Sequence, residues 1–350
     1  MTEETPGLVI MLGSGETLAS SGKAHEYVAQ HSPHEPKIVI LETPAGFEPN
    51  SDAVAGKIKE FLERRLQNYK PKISVLPARK RGTEFSPDNF DVVKPILTAD
   101  EILLGPGSPS YGAKQLRKSL ALRMTLARHY LGSHLFLSSS STLAFSRFTM
   151  PVYEIYKVGD DLHWKDGADF LGNYGLKTAV IPHWNNNDGG TDLDTSRCYM
   201  GQDRFNQLLE MLPEGVTVIG IDEHTSLILD FEEKVCKVMG NGTVTIIFEG
   251  NEQTFKTGSV FSIDELGDWH IPQKSQLPQE EFEMIAKAEQ EASESAIVAG
   301  PSAEIQTLAD ERWAARSNKD WQKADELRDE LENLGWRVLD EKDRYVLEMI

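Results

Sequence analysis

Over residues 1–250, short apolar runs alternate with longer amphipathic stretches. The runs at 8–12, 37–41, 73–76, 101–104, 134–137, 176–181 and 216–221 are mostly Val, Ile and Leu, the pattern of strands in a parallel sheet covered on both faces. In 51–68, Val54, Ile58, Phe61, Leu62 and Leu66 recur at helical spacing, with Lys and Glu opposite and Asn50 or Ser51 as cap. Residues 112–130 read as a further helix. The alternation predicts a doubly wound α/β domain. After Ile221 the pattern switches. Segments 226–230, 235–239 and 243–248 read as antiparallel strands, with Gly240-Asn241-Gly242 as the tight turn between the last two, extending one edge of the main sheet. Residues 251–276 are mixed and turn-rich.

From 279 onward the chain becomes helical and acidic, ending at Gly300-Pro301. Its 287–300 portion, rich in Glu, Ala and Ser, reads as a solvated helix or a linker, the linker being favoured. Segments 302–317 and 319–334 read as two helices. Ile305, Leu308 and Ala315 mark the inner face of one, and Ala324, Leu327, Leu331 and Leu334 that of the other. Asn318 suits the cap of the second helix and Gly335 its stop. Val338-Leu339 and 345–347 then close a small hairpin. These patterns divide the chain into an α/β domain at 1–265, a linker with an acidic helix at 266–301, and a module at 302–350.

Length agrees with that division: 350 residues suggest two domains. Lys plus Arg is 36 against 55 for Asp plus Glu, a net charge of −19. Residues 277–350 carry 19 acidic and 9 basic groups, about half the excess, which marks the tail as a separate unit. The charge excludes nucleic-acid binding by bulk positive potential but leaves room for a local basic stripe. No apolar run is long enough to span a bilayer, and the start, Met1-Thr2-Glu3-Glu4-Thr5-Pro6, lacks the positive segment of a signal peptide. Cys198 and Cys236 are too few for a disulfide framework or a thiolate zinc site. The expectation is a cytoplasmic protein with no membrane contact, no metal and no cofactor.

Ligands of doubly wound domains sit at the carboxyl ends of the strands, where four segments stand out. Gly13-Ser14-Gly15-Glu16 allows close backbone approach to a ligand, or is simply a tight turn; the full dinucleotide fingerprint is absent. Ser14 and Glu16 are its pocket candidates. In Gly105-Pro106-Gly107-Ser108-Pro109-Ser110, the amides of Gly107 and Ser108 suit an oxyanion hole, or the segment is a rigid connection. Leu137-Ser138-Ser139-Ser140-Ser141-Thr142 has the strand–turn–helix context of a nucleophile elbow, or its hydroxyls cap the helix that follows. His183, in Ile181-Pro182-His183-Trp184-Asn185-Asn186-Asn187-Asp188, stands where a general base would stand, or is a polar loop residue.

Together with Gly220-Ile221-Asp222-Glu223-His224-Thr225-Ser226-Leu227, this ordered set resembles the serine peptidases of the dipeptidase E and cyanophycinase family, within the class I glutamine-amidotransferase-like fold, over about 7–262. The family's nucleophile motif, Gly-x-Ser-Ala-Gly-Ala, falls on 137–142. The resemblance implies a flavodoxin-like, mostly parallel sheet with an antiparallel hairpin extension. It implies Ser139 as nucleophile, with Ser140 as an alternative apex, an oxyanion hole from the amides of Gly107 and Ser140, and His183 as base. The family acid lies between nucleophile and base in chain order, which selects Glu154, with Asp160 and Asp161 as alternatives. Asp222 and Glu223 would line the pocket, or serve as hairpin-entry residues. The implied reaction is hydrolysis of a small peptide or amide through an acyl-enzyme. Leu137 and Ser141 replace the two elbow glycines, and the Asp of the dipeptidase pattern near Thr149 is missing. The rival reading is therefore a catalytically decayed ligand-binding or scaffold domain. A glutamine amidotransferase proper is disfavoured, because it needs a Cys nucleophile and neither cysteine lies at the elbow.

The tail is similar to the C-terminal end of cysteinyl-tRNA synthetases over about 302–350. The similarity rests on Ala315-Arg316-Ser317-Asn318-Lys319-Asp320-Trp321 and Ala324-Asp325-Glu326-Leu327-Arg328-Asp329-Glu330-Leu331. The His-Ile-Gly-His and Lys-Met-Ser-Lys-Ser signatures of the synthetase core are absent, so aminoacylation is not expected. Arg312, Arg316, Lys319 and Lys323 at i, i+4 spacing would form a basic patch for tRNA, with Trp313 and Trp321 stacking on bases. Residues 301–350 hold 13 acidic and 8 basic groups, which favours pairing of these cations on the helix surfaces and tryptophans packed in the hairpin. The module's expected partner is tRNA or a protein, and a homodimer remains open.

Overall fold

Buried apolar strands in parallel form the centre of the first unit. The computed structural model describes residues 5–299, 301–341 and 344–350. The acidic start at 1–4 and the Gly300 stop lie outside the described residues. Two units are formed, Met1–Ile285 and Ala286–Ile350.

The strands are β1 Val9–Leu12, β2 Lys37–Leu41, β3 Lys72–Leu76, β4 Glu101–Leu104, β5 His134–Ser138, the short β6 Phe148–Thr149 and β7 Lys165–Asp166, β8 Thr178–Ile181, β9 Thr217–Ile221, β10 Thr225–Asp230, β11 Val235–Gly240, β12 Thr243–Phe248, β13 Asn251–Lys256 and β14 Val260–Ser262. The first unit's helices are α1 Ala19–Gln30, α2 Ser51–Arg65, α3 Phe90–Val93, α4 Pro109–Leu116, α5 Leu120–Tyr130, α6 Ser140–Phe145 and α7 Gly201–Glu210. The main sheet has the order β14-β11-β10-β1-β5-β4-β2-β3; β1, β5, β4, β2 and β3 run parallel, and β10, β11 and β14 pair antiparallel. This is the mostly parallel α/β fold with an antiparallel extension that the alternation predicts. A second sheet, β13-β12-β9-β8, keeps β8 and β9 parallel.

One face of the main sheet buries Ile10, Leu12, Ile38, Ile40 and Phe136 under α1 and α2, which contribute Ala24, Val28, Ile58 and Leu62. The second sheet forms its own core from Ala179, Ile181, Val218, Trp184 and Phe205.

Several expectations change. Residues 112–130 are not one helix: the chain breaks at Lys118, where φ is +61°, and Ser119 caps α5 by accepting from Leu122 N. At α2, neither predicted cap acts as one. Asn50 makes no side-chain cap bond, and Ser51 Oγ donates to Glu42 instead. The segments either side of Gly240-Asn241-Gly242 are not hairpin partners. β11 pairs with β10 and β14, β12 with β9 and β13, so the chain crosses between sheets there. Thr225 Oγ1 accepts from Gly242 N at 2.8 Å and Asp222 from Thr243 N at 2.8 Å, so side chains fix this crossing where a hairpin turn was expected. The turn-rich 251–276 region contains β13 and β14. The favoured linker is helix: α8 runs unbroken over Gln279–Ala299, as its Glu, Ala and Gln content allows.

In the second unit, α9 Ala303–Ser317 and α10 Trp321–Asn333 pack against the antiparallel hairpin β15 Trp336–Asp340 and β16 Tyr345–Met349. Ile305, Ala309, Leu331, Trp336 and Val338 fill its core. Asp320, not Asn318, caps α10, accepting from Lys323 N; Asn318 closes α9. Arg312, only 3 % exposed, donates to both carboxylate oxygens of Asp340 at 2.7 and 2.9 Å and so ties α9 to the end of β15. Removing one partner of such a pair leaves a buried charge uncompensated, at a cost of about 3–5 kcal/mol. Asp340→Asn is expected to unfold this module at lower urea than the rest of the chain, with faster hydrogen exchange across 303–340 and unchanged exchange in β1–β5. Uniform exchange across both units would refute this.

Candidate active site

β5 ends at Ser138, whose hydroxyl donates to Glu16 Oε2 at 3.0 Å. The next residue, Ser139, has φ +51° and ψ −116°. That conformation costs a non-glycine residue about 1–3 kcal/mol. The bend lets α6 begin at once, at Ser140. The Ser139 hydroxyl caps nothing: Thr142 bonds to the Ser139 carbonyl instead, through both N and Oγ1. It lies 2.9 Å from His183 Nε2. The strain is confined to this apex. Neither Leu137 nor Ser141 has positive φ, so neither position requires glycine. Ser141 Oγ donates to Gly105 O at 2.5 Å and ties α6 to the segment after β4.

His183 follows β8 by two residues and also has positive φ, +51°. Its Nδ1 lies 2.7 Å from Glu223 Oε1. The parallel register of β8 and β9 pairs Ile181 with Gly220, which brings the residues just past each strand end together. Asn186 Nδ2 donates to the same Glu223 oxygen at 3.0 Å, and Asn185 Oδ1 accepts from Glu223 N at 2.8 Å. The hydrogen bond to His183, with help from Asn186 and against partial burial, holds the Glu223 carboxyl down at about 2.

The His183 loop is supported from behind. Cys198 N donates to His183 O at 3.1 Å and Arg197 N to Trp184 O at 2.9 Å, from a run in which Arg197, Cys198 and Tyr199 all have positive φ. The Arg197 guanidinium lies over Trp184, 3.9 Å from the ring centroid.

The structure corrects the expected acid. Glu154 sits in a single π-helical turn and pairs with Lys165 Nζ at 2.8 Å, while Asp160 and Asp161 are exposed. The carboxylate at the imidazole is Glu223, first read as a pocket or hairpin residue. The missed signal was the adjacency of β8 and β9: an acid just past β9 is a neighbour of a base just past β8. Asp222 is 7 % exposed, and its Oδ2 accepts from both Thr243 N and Thr243 Oγ1. Ser14 is buried, its hydroxyl without a hydrogen-bond partner among the described residues, and Glu16 is held by Ser138. Of the expected oxyanion donors, the Ser108 amide is taken by Pro44 O at 2.9 Å. The amides of Gly107 and Ser140 make no hydrogen bond among the described residues. Gly107 has φ +155°, and a Cβ there would lie 2.1 Å from Pro44 O.

In the second unit, Arg312 and Arg316 do not form the expected patch. Both bind Asp340, Arg316 at 3.1 Å. Lys319 and Lys323 are exposed and make no ion pair among the described residues. Trp313 packs toward Tyr345, whereas Trp321 is 56 % exposed. No three His, Cys, Asp or Glu groups among the described residues could hold a metal ion, and no described helix is long and apolar enough to cross a membrane.

A solved peptidase from an acI-B1 Actinobacterium is similar to this chain, with a TM-score of 0.60 and 21 % identity over 75 % of this chain and 98 % of that one. At that identity the likeness concerns the fold. The family model of the cysteinyl-tRNA ligase anticodon binding domain matches residues 299–345. The cysteine–tRNA ligase of Opitutus terrae is 52 % identical over 46 residues, 13 % of this chain, so the chain spans only a tenth of that curated relative's length. The body shares the fold of that solved structure, and the tail carries a cysteinyl-tRNA-ligase-type module. Within the first unit, Gly220 on β9 faces Trp184: a Cβ would stand 2.3 Å from the indole. Gly220→Ala is expected to cost about 1–3 kcal/mol through overpacking. It should also displace the His183 loop, so that the imidazole resonances of His183 shift more than those of the distant His31 in NMR spectra. Equal shifts at both would argue against this support.

Proposed function

We propose that the first unit is a serine-type hydrolase of small peptides or amides. In this reading Ser139 is the nucleophile, His183 the general base and Glu223 the carboxylate that orients the imidazole. The observation that carries it is the continuous hydrogen-bonded chain Ser139 Oγ–His183 Nε2 and His183 Nδ1–Glu223 Oε1, at 2.9 and 2.7 Å, with the serine at a strained apex. Ser139 Oγ attacks the carbonyl carbon as His183 takes its proton, and His183 then gives that proton to the leaving amine. The amides of Gly107 and Ser140 serve the developing oxyanion. Water, activated by the same imidazole, frees the acyl group. Glu223 keeps the Nδ1–H tautomer throughout.

The rival of a decayed scaffold was motivated by the missing elbow glycines. Within the elbow, positive φ falls on Ser139 and not on Leu137 or Ser141, and this, with the hydroxyl bond of Ser141, supports the active reading. The second unit, in this proposal, engages tRNA through Lys319, Lys323 and Trp321, which accords with its family match. Buried, unpaired Cys198 and Cys236 accord with a reducing cytoplasm.

A fluorophosphonate probe tests the hydrolase. The full chain is expected to be labelled at Ser139, and Ser139→Ala to remain unlabelled. Labelling of both, or of neither, would overturn the assignment. Glu223→Gln should slow turnover by about 10³–10⁴-fold, because the wrong imidazole tautomer is then favoured.

The low value for Glu223 also fixes a pH dependence. A carboxyl depressed on folding stabilises the native state above its ordinary value of 4.5, and the contribution is lost as pH falls toward about 2. The stability gap between wild type and Glu223→Gln in urea melts should therefore be full at pH 6 and shrink as the pH approaches 2. A gap that does not vary with pH would contradict the pairing.

A further inference from the structure

Beside the proposed oxyanion segment lies a cleft of about 910 Å³ that the mechanism above does not use. It opens at Ser108 and Ser110, directly after Gly107, and runs along α4. Its charge opposes that of the chain. Arg81, Lys114, Arg117, Lys118 and Lys165 line it, against the carboxylates of Glu154 and Asp166, in a protein of net charge −19. Arg117 pairs with Asp166 at 2.6 Å and Arg81 with Asp88 at 2.9 Å, both on exposed surface where such pairs are weak and easily exchanged for another anion. Lys114 and Lys118 are exposed and make no ion pair among the described residues.

The cleft also displays aromatic surface. Phe47 is 49 % exposed and Tyr153 43 % exposed, both on its walls. Cations that follow a backbone, combined with open rings on which bases stack, are the means by which single-stranded nucleic acid is held. An acidic peptide would need the cations but not the rings.

We propose that this cleft receives the 3′ end of an RNA whose terminal ribose carries an acyl group, and that Ser139 hydrolyses that ester. The inference rests on the hydrolase reading and on the tRNA reading of the tail. Ser139 Oγ adds to the ester carbonyl, the carbonyl–ribose oxygen bond breaks, and the ribose oxygen leaves with the proton carried by His183. Water then hydrolyses the acyl-serine, so one water is consumed and a free acid and a 3′-hydroxyl RNA are produced. The phosphates before the terminal ribose lie against Lys114 and Lys118, and the terminal bases against Phe47 and Tyr153.

The test uses the full chain and bulk tRNA charged with radiolabelled amino acids. Wild type is expected to release acid-soluble amino acid faster than spontaneous loss. Ser139→Ala should bind uncharged tRNA in fluorescence anisotropy, with affinity falling as salt rises, yet release amino acid from charged tRNA no faster than spontaneous loss. The double change Lys114→Glu with Lys118→Glu should raise KM for charged tRNA at least tenfold more than it raises KM for a p-nitrophenyl ester. If the fluorophosphonate labels Ser139 but charged tRNA is neither bound nor deacylated, the RNA inference falls while the hydrolase stands. If Ser139 is not labelled, both fall. If acidic dipeptides are cleaved, tRNA does not compete, and the lysine changes weaken only that cleavage, the cleft serves acidic peptides and the inference is overturned.

Discussion

The hydrogen bond between Ser139 and His183 spans a seam between two sheets, and the arrangement of the site depends on that seam. Ser139 leaves the end of β5 in the main sheet; His183 leaves the end of β8 in the second. Glu223 sits in the turn by which the chain passes from β9 in the second sheet to β10 in the main one. Gly13 N, on the main-sheet side, donates to Thr225 O just past that turn, and Asp222 grips Thr243 at the return crossing. Each end of the turn is thus anchored to its own sheet, and the Glu223 carboxylate between them faces the imidazole. Strained backbone at Ser139 and His183 is tolerated because buried strands on both sides over-determine it.

Much of this was legible in the residues. Apolar runs located the strands of both sheets except β13 and β14 to within a residue or two, because a buried parallel strand needs little besides Val, Ile and Leu. Ser139 and His183 stood out since each directly follows such a run. Glu223 did not, because chain order pointed to Glu154, whereas the imidazole is met by the strand that pairs with β8. Register between non-consecutive segments is a property of the packed sheets and leaves little trace in local pattern. For the same reason the Gly240–Gly242 turn looked like a hairpin: nothing local reveals that its flanking strands belong to different sheets. The elbow glycines are a further case. Their absence looked damaging until the strain proved confined to the serine itself.

The tail teaches a related lesson about charge. Arg312 and Arg316 share a helix face, as their i, i+4 spacing requires, but that face turns toward Asp340 at the end of β15. Spacing fixed which side chains are neighbours and not whether they meet solvent. The acidic excess, which argues only against binding by bulk potential, includes exposed carboxylates of α10 that make no ion pair with Lys319 or Lys323 among the described residues.

In the proposed reading, a nucleophile, base and acid carried on both sides of a seam make reactivity a property of assembly. A chain with only the main sheet formed would present a serine of ordinary reactivity, with its imidazole still on an undocked layer. Under that reading, a copy whose two sheets have not docked carries no competent serine with which to attack neighbouring proteins.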